Sequence, residues 1–149
     1  MSIIDIGHTA FACHDMDAAL EFYALLGITE SFRLTKEDGS IRLIYLHVSG
    51  DRFLELFPGG PGPEQRASNG PSSFKHLCLM TDDIEADVEH LRSHGVTIDT
   101  EIKLGLDTNQ QAWVKDPDGN PIELMQISEI SPQRAVADGR EPIVPGPQG

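Results

Sequence analysis

Apolar residues follow two rhythms along this chain, and the order of the rhythms occurs twice. Alternation of apolar and polar positions, the mark of half-buried strands, runs through ITESFRLT, IRLIYLHVSG and DRFLELF and again through VTIDTEIK, QAWVKD and NPIELMQI. A helical rhythm precedes each set, with Leu20, Tyr23 and Leu26 in one and Val88 and Leu91 in the other, predicting helices over about 16–26 and 84–94. Asp15 suits an N-cap, and Asp82 with Glu85 three residues on resembles a capping box. Gly27 and Gly95 stand where a left-handed residue ends a helix. EDGS at 37–40 and DPDGNP at 116–121 carry hairpin-turn chemistry.

Sliding the chain against itself by 68 residues superposes the two halves. His8 falls on His76, Asp15 on Asp83, Ala18 on Ala86, Gly27 on Gly95 and Glu55 on Glu123, with 47 residues between histidine and glutamate in each copy. The fold class predicted is α+β: two tandem βαβββ modules over 4–58 and 73–128, joined by a Pro/Gly/Ser-rich connector at 59–72. Residues 131–149 lack periodicity and read as a flexible or loosely docked tail after a domain ending near 130.

The repeated polar residues stand out against their surroundings. In FLELF, Glu55 shares a strand face with Phe53 and Phe57, while Leu54 and Leu56 take the other; in PIELM, Glu123 is flanked by Ile122 and Leu124. His76 and Cys78 face away from Leu77 and Leu79. His8, next to Thr9 and Phe11, is sorted less cleanly. A carboxylate within an apolar strand is costly unless it is paired, protonated or bound to a cation. Neither copy offers a Lys or Arg at the matching position, since Arg52 and Arg66 lie at or beyond strand ends. A divalent cation held by His8, Glu55, His76 and Glu123 neutralises both acids at once. A lone strand histidine or glutamate is ordinarily structural or solvated; the joint repetition of both at one offset points to ligation. His14, His47, His90 and His94 have no such symmetry, and the last two read as a solvated helix face.

Charge narrows the function classes. With 24 acidic against 11 basic residues the net charge is −13, which disfavours nucleic acid and anionic membranes as partners. There is no basic-then-apolar leader and no stretch of about 20 apolar residues, so a cytoplasmic protein is expected. Cys13 and Cys78 form no CxxC pair and read as reduced, packed thiols.

Over about residues 4–128, GHTAF, MDAALEFYALLGI, FKHLCL with DDIEADVEHLRSHGV, and DPDGNPIEL resemble the glyoxalase/bleomycin-resistance/dioxygenase group of the vicinal oxygen chelate superfamily. The resemblance implies a curved open β-barrel whose concave face holds one divalent metal ion per site (Zn, Ni, Fe, Mn or Co). His8 and His76 match its first-strand ligands, and Glu55 and Glu123 its fourth-strand ligands. The full His/Glu/His/Glu set is most similar to lactoylglutathione lyase, in which the metal binds vicinal oxygens of a small α-oxygenated substrate and stabilises an enediolate. Glu123 or Glu55 would be the general base. An α-carbon epimerase or an extradiol-type dioxygenase would use the same metal site, and a metal-free drug-binding module is the alternative from another class. The paired Arg and Asn that hold glutathione are not recognisable; Arg33 is the only remnant, and Cys78, Asn109, Gln110 and Trp113 are the expected pocket contacts. A homodimer is expected, its modules closing a site within one chain or by exchange between two.

Overall fold

The computed structural model describes residues 4–68 and 74–145, with the side chains of 66–68 left aside. It divides into two compact units, Met1–Ser72 with Asp116–Gly119, and Ser73–Lys115 with Asn120–Gly149. The first contains β1 (His8–Cys13), α1 (Met16–Leu25), β2 (Glu30–Thr35), β3 (Ile41–Ser49), β4 (Arg52–Pro58) and the short α2 (Pro63–Ser68) in the connector. The second contains β5 (Leu77–Met80), α3 (Ile84–Ser93), β6 (Thr100–Leu104), β7 (Gln110–Lys115), β8 (Pro121–Gln126) and α4 (Pro132–Ala137).

Each unit is built on one mixed four-stranded sheet, ordered β1-β4-β3-β2 and β5-β8-β7-β6. The first and last strands of a module pair in parallel, the others antiparallel. This is the α+β, twofold βαβββ architecture expected.

The repeat holds to the residue in the helices. Both are ten residues long and start 68 positions apart, capped by Asp15 on Ala18 N and by Asp83 on Ala86 N at 3.0 Å each. Asp83, not Asp82, is therefore the N-cap of α3; Asp82 lies one residue too far upstream to reach the first-turn amides. Gly27 and Gly95 follow the helices with φ of 73° and 81°, the conformation glycine adopts without strain. In α3 the buried residues are Ile84, Val88 and Leu91, and in α1 Ala19, Phe22 and Tyr23. The stripe at i, i+3, i+4 thus bypasses Leu20 and Leu26, which are half-buried. Against these helical residues stand the apolar faces of the sheets, including Ile44, Leu46, Leu54 and Leu56 in one unit and Ala112, Val114, Ile122 and Leu124 in the other.

Two segments gain structure that the apolar pattern does not announce. In the connector, Gly60 donates its N–H to Cys13 O at 3.0 Å, and a Cβ there would sit 2.2 Å from Ala12 O. After β8, the buried Ser131 caps α4 by accepting from Arg134 N at 3.1 Å, with Pro132 in the first turn. The DPDGNP turn is also more than a connection: Asp116 and Asp118 are buried, and within the first unit they accept from Tyr23 Oη at 2.9 Å and from His14 N at 2.7 Å. No helix among the described residues is long and apolar enough to cross a membrane.

Candidate functional site

In the first unit, strand alternation and parallel pairing bring His8 to Glu55. β1 runs beside β4 with Ala10 opposite Glu55, and the exposed His8 lies two residues before Ala10 on the same face. Its Nε2 stands 3.3 Å from Glu55 Oε2, and Glu55 itself is only 7% exposed. From the other side β3 places Tyr45 opposite Glu55. The hydrogen bond from Tyr45 to that carboxylate, with partial desolvation, holds the phenol's pKa above its usual value. Phe32 stacks on Tyr45 at 4.4 Å, and Phe53 meets Tyr45 edge-on at 6.1 Å.

The second unit repeats the arrangement with different neighbours. His76 Nε2 lies 3.0 Å from Glu123 Oε2, and Glu123 is 9% exposed. Cys78 stands opposite Glu123 on β5 and Trp113 opposite it on β7. Burial first, and the Glu123 charge second, push the Cys78 thiol up to about 12, so it stays protonated. Trp113 packs edge-on against His76 at 4.7 Å and donates its Nε1–H to Gln111 Oε1 at 2.9 Å. Among the described residues neither glutamate has a lysine or arginine within salt-bridge reach. No group of three or more His, Cys, Asp or Glu arranged for metal binding occurs among them either.

The residues expected to line a pocket are placed as follows. Trp113 and Cys78 flank the His76–Glu123 pair. Arg33 is engaged on β2 by Glu30 through two hydrogen bonds of 2.5 and 2.6 Å. Asn109 is 1% exposed; its amide donates to Asp107 at 3.0 Å and its oxygen accepts from Ser128 N at 2.8 Å, so it ties the β6–β7 turn to the segment after β8. Gln110 is exposed at the start of β7; the next residue, Gln111, is the one on the Trp113 face. Gln111 also lines a cavity of about 450 Å³ with Lys103, Leu104, Gly105, Leu106 and Asp107. Tyr45 stands opposite Glu55 and Gln111 shares the Trp113 face, and neither is among the residues the sequence pattern singles out. Two-residue alternation from Trp113 finds Gln111, and the 68-residue offset from Trp113 finds Tyr45.

A profile of the Glyoxalase/Bleomycin resistance protein/Dioxygenase superfamily matches residues 5–124. The chain belongs to that superfamily. Within it, the chain is 30% identical over 128 residues to the uncharacterized protein YaeR of Escherichia coli, covering 85% of this chain and 98% of YaeR. It is also 30% identical over 128 residues to a probable lactoylglutathione lyase of Synechocystis, covering 81% of this chain and 94% of that protein. Among solved structures, TnmS3, an antibiotic-binding protein from Streptomyces, matches with a TM-score of 0.66 and 29% identity over 86% of this chain and 99% of TnmS3.

Proposed function

We propose that this superfamily member is a divalent-metal-dependent lyase or isomerase that moves a proton beside a carbonyl in a small α-oxygenated molecule. His8, Glu55, His76 and Glu123 are its metal ligands, and Glu123 or Glu55 is its general base. One observation carries the reading: in each module a strand-centred, buried carboxylate is met by an imidazole and by no cationic side chain among the described residues. Burying an acid this way is costly unless a charge compensates it.

The donor chemistry suits the ion. Imidazole nitrogen and carboxylate oxygen both ligate Zn, Ni, Co, Mn and Fe(II). Ligand atoms each about 2.0–2.2 Å from one ion stand about 3–3.5 Å apart, and the Nε2–Oε2 separations of 3.3 and 3.0 Å fall in that range. When bound, the ion supplies a Lewis acid for the substrate's oxygens and raises the acidity of the neighbouring C–H. The residues around it then have distinct tasks. The glutamate takes and returns the proton. Trp113 fixes the His76 ring by edge contact, and Tyr45 steadies Glu55 through its hydroxyl. In this reading the protein is a cytoplasmic homodimer with a small-molecule substrate.

A metal-free drug-binding module is the second reading, favoured by the likeness to TnmS3 and by the 47%-exposed Phe32 stacked on Tyr45. Elemental analysis of protein purified without chelators, with turnover assays on hemithioacetals, acyl thioesters and catechols, separates the two. We expect bound metal and a loss of about 10²–10⁴ in turnover for Glu123→Gln or Glu55→Gln. Metal-free protein that turns over none of these compounds and binds planar antibiotics would replace the first reading with the second. Oxygen uptake on catechols with ferrous iron would instead redirect it to a dioxygenase.

A further inference from the structure

His90 and His94 take no part in the paired faces just described. His90 lies in the last turn of α3 and His94 is the C-cap residue that follows it, four positions on; both are exposed, with ring centroids 4.4 Å apart and planes inclined by 50°. Spacing of four on a helix stacks two side chains on one face, the arrangement by which helical His-x-x-x-His pairs hold a cation.

The tautomer of His94 is set by its surroundings. Nδ1 lies 2.8 Å from the His90 carbonyl and 3.2 Å from Ser93 Oγ, and Ser93 Oγ itself donates to the same carbonyl at 2.8 Å. A carbonyl only accepts, so Nδ1 carries the proton and Nε2 keeps its lone pair. An outer hydrogen bond of this kind is what orients a metal-ligating imidazole and raises its basicity. The position also suits positive charge, because the last helical turn presents the negative end of the helix dipole. Arg92, the nearest cationic side chain in sequence, is engaged by Glu89 and Glu101 at 2.9 and 2.7 Å.

We propose that His90 and His94 form a second divalent-cation site, separate from the duplicated His–Glu pairs, that takes the imidazole-preferring ions Cu(II), Ni(II) and Zn(II) rather than Mg(II) or Ca(II). Two protein ligands leave the remaining positions to water, so the site binds more weakly than one with three or four protein ligands and exchanges freely with solvent. Any count of metal per chain therefore includes this ion.

The test is calorimetric titration of untagged protein with Cu(II), Ni(II), Zn(II) or Mg(II) alone at pH 7.5, on wild type, on the isosteric pair Glu55→Gln/Glu123→Gln, and on each of these with His94→Ala or His90→Ala. We expect the Glu→Gln pair to retain one equivalent of Cu(II), Ni(II) or Zn(II), and His94→Ala or His90→Ala to weaken it by more than about tenfold. Both histidines are exposed, so these variants should keep the wild-type circular dichroism spectrum. A retained equivalent that neither histidine change affects, or a folded Glu→Gln pair that binds no metal, overturns the site. Loss of all binding on changing His90 or His94 in wild type would leave this site standing and remove the metal from the proposed enzymatic one.

Discussion

Tyr23 and Asp116, 93 residues apart in the chain, share a hydrogen bond of 2.9 Å inside the first compact unit, with the ring fully buried and Asp116 only 4% exposed. A phenol donating to a buried carboxylate is among the stronger hydrogen bonds, contributing about 1.5–3 kcal/mol. Tyr23→Phe keeps the ring in the core and removes only the hydroxyl, so it should lower the urea midpoint by that equivalent without changing the m-value. An unchanged midpoint would show that the bond contributes nothing net.

Alkaline pH should weaken the same region. Burial, then the charges of Asp118 and Asp116, push the Cys13 thiol up to about 12, and burial with Asp116 pushes the Tyr23 phenol upward as well. In the unfolded chain a thiol ionises near pH 8.5. The folded state then holds protons the unfolded state has released, so this contribution is complete below about pH 8.5 and is lost as pH rises towards 12. Urea unfolding at pH 8 and pH 10 should show the drop, and Cys13→Ala should lessen it without abolishing it, because the Cys78 thiol, also pushed up to about 12, contributes in the same sense; stability rising over this interval would contradict the assignment.

The two helix caps offer an internal comparison. Asp15→Ala and Asp83→Ala should each cost about 0.5–2 kcal/mol and combine additively, while Asp82→Ala should have little effect. A larger loss from Asp82→Ala than from Asp83→Ala, measured by thermal unfolding, would return the cap to the residue that the capping-box pattern suggests.

Thr108 is the one non-glycine residue with positive φ among the described residues, at 67° in the β6–β7 turn, and its buried hydroxyl has no hydrogen-bond partner. A left-handed β-branched residue costs roughly 1–2 kcal/mol, of which glycine returns part after its own entropic cost. Thr108→Gly should therefore raise stability, by up to about 1 kcal/mol. A lowered melting temperature would mean that the threonine methyl contributes more than the strain removes.

Trp113, the single tryptophan, reports on its neighbour His76. Adding Zn(II) or Ni(II) should alter its fluorescence, and His76→Ala should abolish that change. The response should survive His94→Ala, since the α3 pair lies apart from the Trp113 contact. A metal-insensitive emission spectrum in protein shown by dialysis to bind the ion would exclude His76 as a ligand.

What the sequence determined is whatever repeats. A strand period of two, a helix period near 3.6 and one offset of 68 were enough to place both modules, both helices and the His–Glu pairs, because strand alternation alone decides which face a side chain takes. Tertiary structure decided what depends on neighbours distant in sequence. Asp116 and Asp118 read as turn formers, yet they are buried because Tyr23 and the His14 amide donate to them. Asn109 reads as a pocket contact, yet Asp107 and Ser128 satisfy it in the interior. The residues set opposite the two equivalent carboxylates also differ, Tyr45 at Glu55 and Cys78 with Trp113 at Glu123. Periodicity assigns a residue to a face; only cross-strand register and packing decide which groups meet there and what chemistry they share.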